Sequence, residues 1–193
     1  MKLKWQFLVS LLIIYISGYS QSGFYDRLAD SALTLTKQNV QYDASYFTIT
    51  YPNGDVPSDK GVCTDVIIRA YRKLGIDLQK EVHEDMTANF DLYPKIWGLK
   101  NPDKNIDHRR VPNLMTFFKR HGTVKVITTN GTDYLPGDIV CWNLGTSTTH
   151  IGIVSNVKSN TGKYLIIHNI GFGQVLEDCL FDFKIIGHYR YEK

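Results

Sequence analysis

Residues 61–75, GVCTDVIIRAYRKLG, place a single cysteine at the start of a pattern with helical spacing. Apolar side chains recur there at three- and four-residue intervals: Val66, Ile67, Ala70, Tyr71 and Leu74. Gly75 then supplies a typical helix C-terminal stop. The pattern predicts an amphipathic interior helix, with Cys63 on its buried face at the N-terminal end.

Cys63 has two interpretations. Taken alone, a buried cysteine at a helix start usually serves as a small hydrophobic residue. A helix N-terminus also stabilises negative charge through its unpaired N–H groups and its macrodipole, so we expect Cys63 to ionise and act as a nucleophile. Asp65 in the first turn either complements the dipole or takes part in the site.

Length, composition and charge limit the class of protein. The chain has 193 residues, of which 43% are hydrophobic, enough to bury one good core, and we expect a single domain over residues 21–193. Its net charge of +3 comes from 22 basic and 19 acidic residues, without a basic block. Nucleic acid is therefore not indicated as a partner, and we expect a monomer.

The N-terminal segment, residues 1–20, has the pattern of a secretory signal. Lys2 and Lys4 precede the apolar residues 7–16, and small residues around Ser20 resemble a signal-peptidase site. The apolar run is too short to span a bilayer core of about 30 Å, although a retained anchor is the alternative. We expect export to the periplasm or the exterior, with no stable membrane anchor after processing.

An exported chain usually pairs its cysteines, yet this sequence has three. If Cys63 is free, Cys141 and Cys179 are either joined by a disulfide or remain as two buried thiols. No C-x-x-C or H-E-x-x-H motif is present in the sequence, so we expect neither a metal site nor a cofactor.

Helices are predicted mainly in the first part of the chain and strands in the second. Besides the Cys63 helix, apolar spacing predicts helices over residues 24–38 and from Pro112 to Gly122. Apolar or alternating segments predict five strands, at residues 123–129, 138–144, 150–157, 163–171 and 181–191. This order indicates an α+β fold with N-terminal helices packed on an antiparallel sheet.

Two of the six histidines, His150 and His168, lie on the two strands of one predicted hairpin. If the tip falls at Asn160, residue 150 pairs with 170 and residue 152 with 168, so the two histidines are diagonal neighbours on one face. A register slip of one residue would put Asn169 on that face instead. The other four histidines are expected to be structural or solvated: His83, His108, His121 and His188.

The order of these motifs supports a known resemblance. A helix-start cysteine followed by PGDIVCW, HIGIV and IIHNIG resembles the NlpC-type cell-wall peptidases, which have a papain-like fold. The resemblance implies that Cys63 is the nucleophile, His150 the base and His168 the orienting residue, with Asn169 as the alternative. The stretches GVCTDVIIRAYR, NIDHRRVPNL and HNIGFG are more specifically similar to the YijF-like family, domain of unknown function 1287.

The resemblance implies an exported cysteine amidase or endopeptidase that acts on peptidoglycan or another peptide substrate through an acyl-enzyme. The alternatives are a binding module of the same fold without turnover and a cysteine acyltransferase. Arginine forks match carboxylates well, and aromatic side chains in loops often line clefts. The candidate substrate contacts are Tyr51, Asp65, Arg109 and Arg110, and the aromatic residues Tyr46 and Trp97 are candidate cleft walls.

Overall fold

A computed structural model describes residues 23–193 of the chain. The predicted signal, residues 1–20, lies outside the described residues. Over the range that is described, no helix is both long enough and apolar enough to cross a membrane.

Four α-helices precede most of the sheet, and they are named α1 to α4 in chain order. Their bounds are Phe24–Leu35 for α1, Cys63–Arg72 for α2, Leu78–Ala88 for α3 and Val111–His121 for α4. Helices α1, α2 and α4 confirm the predictions. The sequence did not predict α3, because its buried face has only three apolar side chains beside the buried polar Gln79.

The strands form two sheets. The smaller sheet pairs β1, Gln41–Tyr42, in parallel with β2, Lys60–Gly61. The larger sheet has the order β3-β8-β4-β5-β6-β7, and its neighbouring strands are all antiparallel. Its strands are Thr123–Val124 (β3), Ile139–Asn143 (β4), Thr149–Lys158 (β5), Tyr164–His168 (β6), Val175–Glu177 (β7) and Lys184–Arg190 (β8). The predicted α+β class is confirmed.

Two details of the sheet differ from the sequence prediction. The strand predicted over residues 123–129 is only two residues long, and Val126 and Ile127 beyond it are exposed. Strand β7 was not predicted at all. Both strands are short and lie at the edges of the sheet, where the alternation of buried and exposed side chains is weak.

The larger sheet buries side chains on both faces. One face packs against the helices and includes Cys141, Ile151 and Ile153, in the same apolar cluster as Cys63. The opposite face has a smaller cluster around Trp142, to which Cys179 packs. All three cysteines are free. Because Cys141 and Cys179 lie on opposite faces, the predicted disulfide alternative does not form.

The register of the central hairpin agrees with the prediction. Ile153 pairs with Ile167 and Val154 with Ile166, a register that places His168 opposite Gly152 when it is extended by one step. The pairing becomes irregular toward the tip, between Val154 and Lys158. His150 and His168 therefore share the face that carries Trp142.

Candidate active site

The N-terminus of α2, where Cys63 lies, is held by a buried ion pair. Arg109 donates to both oxygens of Asp65 at 3.0 Å, and both side chains are almost fully buried. One of these oxygens also accepts from the N–H of Val62, the residue before the helix. Thr64 donates its hydroxyl to the carbonyl of Arg109 at 3.1 Å. This network fixes the backbone on both sides of the cysteine.

Asp65 and Arg109 thus form a buried ion pair that supports the fold, whereas a residue that contacts substrate is expected to be exposed. The guanidinium of Arg109 also donates to the carbonyls of Ser45 and Asp43. The sequence interpretation missed this pairing because the two residues are 44 positions apart. The dipole-complementing alternative for Asp65 fits its place in the first turn of α2.

Removal of Arg109 should strongly destabilise the fold. Arg109→Ala leaves the Asp65 carboxylate buried without its partner, and breaking a buried pair in this way costs about 3–5 kcal/mol. Urea unfolding followed by circular dichroism measures the change in the free energy of unfolding. Lys80→Ala is the matched control, since Lys80 pairs with Glu84 at 3.8 Å with both side chains at least half exposed. A loss as small as that of the control would contradict a supporting role for the pair.

Burial opposes ionisation of the Cys63 thiol. Cys63 is only 8% exposed, and burial raises the pKa of its thiol to about 12. Three main-chain N–H groups lower this pKa but do not outweigh burial: those of Ile151, Thr64 and Cys63 itself. Burial therefore acts against the thiolate that the helix N-terminus favours, because desolvation of a charge is costly, and the ionisation of Cys63 stays a prediction.

Alkylation with iodoacetamide tests this protonation state. Because burial raises the pKa of the Cys63 thiol, the thiolate fraction near neutral pH should be smaller in the folded protein than in the unfolded chain. We expect Cys63 in the folded protein to react far more slowly at pH 7.5 than in urea, and its rate to keep rising with pH above 9. Mass mapping of time points measures the rate. Rapid alkylation of Cys63 in the folded protein would show instead that the site holds a thiolate.

On the other face of β5, three side chains from adjacent strands form a hydrogen-bonded chain. His150 Nε2 lies 2.8 Å from His168 Nδ1, and His168 Nε2 lies 3.0 Å from a carboxylate oxygen of Glu177. Both imidazoles are buried, and the Trp142 ring packs against His150 with centroids 5.8 Å apart. A Cβ at Gly152 would lie 2.8 Å from the Ile166 side chain and 3.2 Å from the Cβ of His168, so glycine lets β5 and β6 approach closely here.

Burial keeps both imidazoles neutral. It lowers the pKa of His150 to about 3, and the neighbouring His168 acts in the same direction. Burial also lowers the pKa of His168, although the hydrogen bond to Glu177 opposes the effect. A neutral imidazole has one N–H donor and one acceptor nitrogen, so the tautomers decide the direction of each hydrogen bond.

Glu177 fixes both tautomers. A carboxylate only accepts hydrogen bonds, so His168 must donate from Nε2 and accept at Nδ1. His150 then donates from Nε2 to His168, which leaves the acceptor lone pair of His150 on Nδ1. The chain of three side chains therefore gives His150 the form that a general base needs.

Asn169, the alternative orienting residue, lies on the face that His168 does not use. Its amide donates to the carbonyl of Gly61 at 3.3 Å, and its oxygen accepts from the N–H of Gly171. It therefore ties the end of β6 to the segment just before Cys63. The structure brings His168, not Asn169, into contact with His150.

The Cys63 thiol is connected to the segment that carries His150 through a main-chain group, and not through a hydrogen bond to the His150 ring. The main-chain N–H of Ile151, the residue after His150, interacts with the Cys63 thiol. Among the hydrogen bonds of residues 23–193, none joins the Cys63 sulfur to the His150 ring. Such contacts are often loose in a free enzyme and tighten in its substrate complex.

The remaining candidate substrate contacts lie in two loops, one between β1 and β2 and one between α3 and α4. The guanidinium of Arg110 covers the Trp97 ring at 4.1 Å, and it remains partly exposed. The ring of Tyr51 packs edge-on against His83 with centroids 5.2 Å apart. The hydroxyl of Tyr46 donates to Asp103 at 3.0 Å. None of these observed contacts involves Cys63 or His150.

The other histidines have structural contacts, as expected. His188 is buried between Asp138, at 2.6 Å, and the stacked ring of Tyr134. His121 pairs with Asp85 at 3.0 Å near the C-terminus of α4. His108 is buried, and desolvation lowers its pKa to about 3.

Sequence reasoning missed Glu177 and Cys179, both next to His168. The sulfur of Cys179 lies 3.5 Å from His168 Nε2. Glu177 is diagonal to His168, because His168 pairs with Val175 across β6 and β7. The available signal was Glu177 itself, an acidic residue shortly after the glycine-rich turn that follows β6. It could be used only if strand β7 had been predicted, because the strand pairing places Glu177 near His168.

Comparisons with known proteins identify a matching family and two similar proteins. The model of a domain of unknown function, DUF1287, matches residues 29–191. The Uncharacterized protein YijF of Escherichia coli (strain K12) is 52% identical over 164 residues, which cover 85% of this chain and 80% of that protein. The solved structure of NlpC1 from Trichomonas vaginalis is similar at 16% identity with a TM-score of 0.48, over 90% of this chain and 46% of that one. The family match and the identity to YijF show that this chain belongs to the DUF1287 family.

Proposed function

We propose that this protein is an exported cysteine amidase or endopeptidase that hydrolyses peptide or amide bonds of peptidoglycan. The observation that carries the proposal is the hydrogen-bonded chain His150–His168–Glu177, which begins next to the backbone that contacts the Cys63 thiol. The substrate class is taken from the resemblance of the motifs to NlpC-type peptidases.

In the first half-reaction, His150 Nδ1 accepts the proton of the Cys63 thiol while the sulfur attacks the carbonyl carbon of the scissile bond. The N–H groups of Cys63 and Thr64 at the helix start are the candidate donors to the carbonyl oxygen as it becomes negative. His150 then passes the proton to the leaving amine as the C–N bond breaks. The product is a thioester on Cys63 and a free amine.

In the second half-reaction, water attacks the thioester and gives one proton to His150. The C–S bond breaks, the sulfur regains the proton, and the acyl group leaves as a carboxylic acid. His168 holds the imidazole of His150 in the required tautomer during both steps, and Glu177 holds His168.

The neutral state of both groups shapes this mechanism. Because burial keeps the Cys63 thiol protonated and His150 neutral, the base must remove the proton as substrate binds. The free protein thus stores no thiolate–imidazolium pair. A substrate that displaces the thiol from the Ile151 N–H could move the sulfur toward the His150 ring.

Incubation of the mature protein, residues 21–193, with purified peptidoglycan tests the function. We expect soluble fragments whose masses show one water added for each bond cleaved, and tandem mass spectrometry identifies the bond. Products that carry an added amine in place of water would indicate an acyltransferase. Binding to peptidoglycan without any fragment would indicate a binding module and contradict the proposed hydrolysis.

A further inference from the structure

Three side chains with metal-binding atoms meet at the outer end of the histidine chain. They are His168 from β6, Glu177 from β7 and Cys179 from the turn that follows. Their ligand atoms all lie within 4.8 Å of one another. No short sequence motif marks this group, because its members come from two strands and a turn.

The distances within this group are near those of a zinc site. His168 Nε2 is 3.0 Å from the Glu177 oxygen and 3.5 Å from the Cys179 sulfur. A tetrahedral zinc ion with ordinary bond lengths separates its nitrogen and oxygen ligands by about 3.4 Å, and its nitrogen and sulfur ligands by about 3.6 Å. These two distances are within about 0.4 Å of the zinc values, and the Glu177 oxygen and the Cys179 sulfur, which lie within 4.8 Å of each other, would need a separation of about 3.6 Å.

The surroundings of the group also suit a cation. Glu177, Asp182 and Asp178 all place negative charge near the Cys179 thiol, and only Asp178 is paired with a lysine, Lys163 at 3.2 Å. The Glu177 side chain is 46% exposed, which provides a path from solvent. The ring of His168 is already oriented by its second nitrogen, as the ring of a metal-binding histidine usually is.

We propose that His168 Nε2, Glu177 and Cys179 Sγ bind a divalent cation that accepts sulfur and nitrogen ligands, with zinc as the best match. Three protein ligands leave one tetrahedral position for water. Binding requires the thiol of Cys179 to release its proton, and His168 to carry its single proton on Nδ1.

Metal binding at this site would reverse the tautomers of the histidine chain. With Nε2 of His168 on the metal, Nδ1 becomes the donor to His150 Nε2, and His150 then holds its proton on Nδ1. His150 no longer offers a lone pair to Cys63. This consequence rests on the proposed function and identifies the site as inhibitory, whereas the metal site itself does not depend on catalysis.

Cobalt binding provides a readout that is independent of activity. Metal-free protein titrated with Co²⁺ under reducing, anaerobic conditions should bind one ion per chain. It should show a near-ultraviolet sulfur-to-cobalt charge-transfer band together with the visible bands of tetrahedral cobalt. Zinc should displace the cobalt. The absence of a sulfur-to-cobalt band would overturn the proposal.

Variants assign the ligands. Cys179→Ser should abolish the charge-transfer band. Glu177→Gln replaces a carboxylate ligand by a neutral amide, so it should weaken zinc binding, measured against a chromophoric chelator, by at least the roughly 10–100-fold that the loss of an outer-shell partner costs. Cys141→Ser, on the opposite face of the sheet, should keep the band. Loss of the band in Cys63→Ser with its retention in Cys179→Ser would place the metal elsewhere. Because Cys179→Ser could disturb folding, the ¹¹³Cd resonance of the wild-type protein provides a second measurement, and a shift typical of one sulfur ligand is expected.

Zinc inhibition separates the two proposals. If peptidoglycan is cleaved, zinc should lower the rate of the wild-type protein and should have at least about tenfold less effect on Cys179→Ser at the same concentration. Equal inhibition of both proteins would overturn the inhibitory role. Cobalt binding without any cleavage would contradict the enzyme function and leave the metal site supported.

Discussion

Cys63→Ala should abolish the release of fragments from peptidoglycan, with a loss of at least about three orders of magnitude in rate. The variant lacks the atom that forms the thioester, and no other described thiol lies at a helix N-terminus. The initial rate of fragment release, measured by mass spectrometry against an internal standard, gives the loss.

Cys141→Ala is the matched control for this variant. Cys141 lies in the same apolar cluster as Cys63, and its thiol is also buried with a raised pKa. Each substitution removes one sulfur atom from the helix side of the sheet, so each should lower stability by a similar, small amount, on the order of 1 kcal/mol. Equal losses of activity in the two variants would mean that packing, and not nucleophilic chemistry, explains the effect of Cys63.

Much of this site could be predicted from the sequence because local rules determine it. The helix that begins at Cys63 follows from apolar spacing and a glycine stop, and Gly75 does adopt a positive φ of 82°. The hairpin register follows from the two-residue period of strands and a polar turn. The observed register is the one predicted for a tip at Asn160, and it places His168 next to His150, whereas the one-residue slip that would favour Asn169 is not seen.

The rest depends on contacts between distant parts of the chain. The raised pKa of Cys63 results from the packing of the sheet against α2, which no local pattern contains. The role of Arg109 depends on a buried carboxylate 44 residues away. Glu177 was missed because its strand has three residues and lies at the edge of the sheet. Each of these side chains affects the site through its burial or through a nearby charge. Neither can be predicted from the sequence before the fold is known.

The second large effect is on turnover, and we expect it to differ between the substitutions of the two histidines, His150 and His168. His150→Ala removes the group that accepts and returns the proton, so it should abolish turnover as completely as the loss of Cys63. His168→Ala keeps the base, His150, but removes the hydrogen bond that sets its tautomer and orientation. We therefore expect a measurable residual activity. The rates of fragment release for the two folded variants, checked by circular dichroism, decide between these roles.

His168→Asn and Asn169→Ala complete the comparison. An asparagine at position 168 can still accept from His150 Nε2 through its amide oxygen, so it should lose less activity than alanine. Asn169 contacts only the backbone of Gly61 and Gly171 in the structure, so Asn169→Ala should act mainly on stability. Near-wild-type rates for both His168 variants, together with a large loss in Asn169→Ala, would contradict the orienting role of His168.

Glu177→Gln provides the most selective test of the histidine chain. The amide offers both a donor and an acceptor to His168 Nε2, so it no longer forces the tautomer that leaves the lone pair of His150 on Nδ1. We expect a fall in kcat with little change in KM, because Glu177 acts on His150 through His168 and does not touch the substrate. Glu177→Asp, which remains an obligate acceptor, should recover part of the rate. Loss of stability without any change in kcat would show that Glu177 only anchors β7, and the base would then have to be oriented by His168 alone.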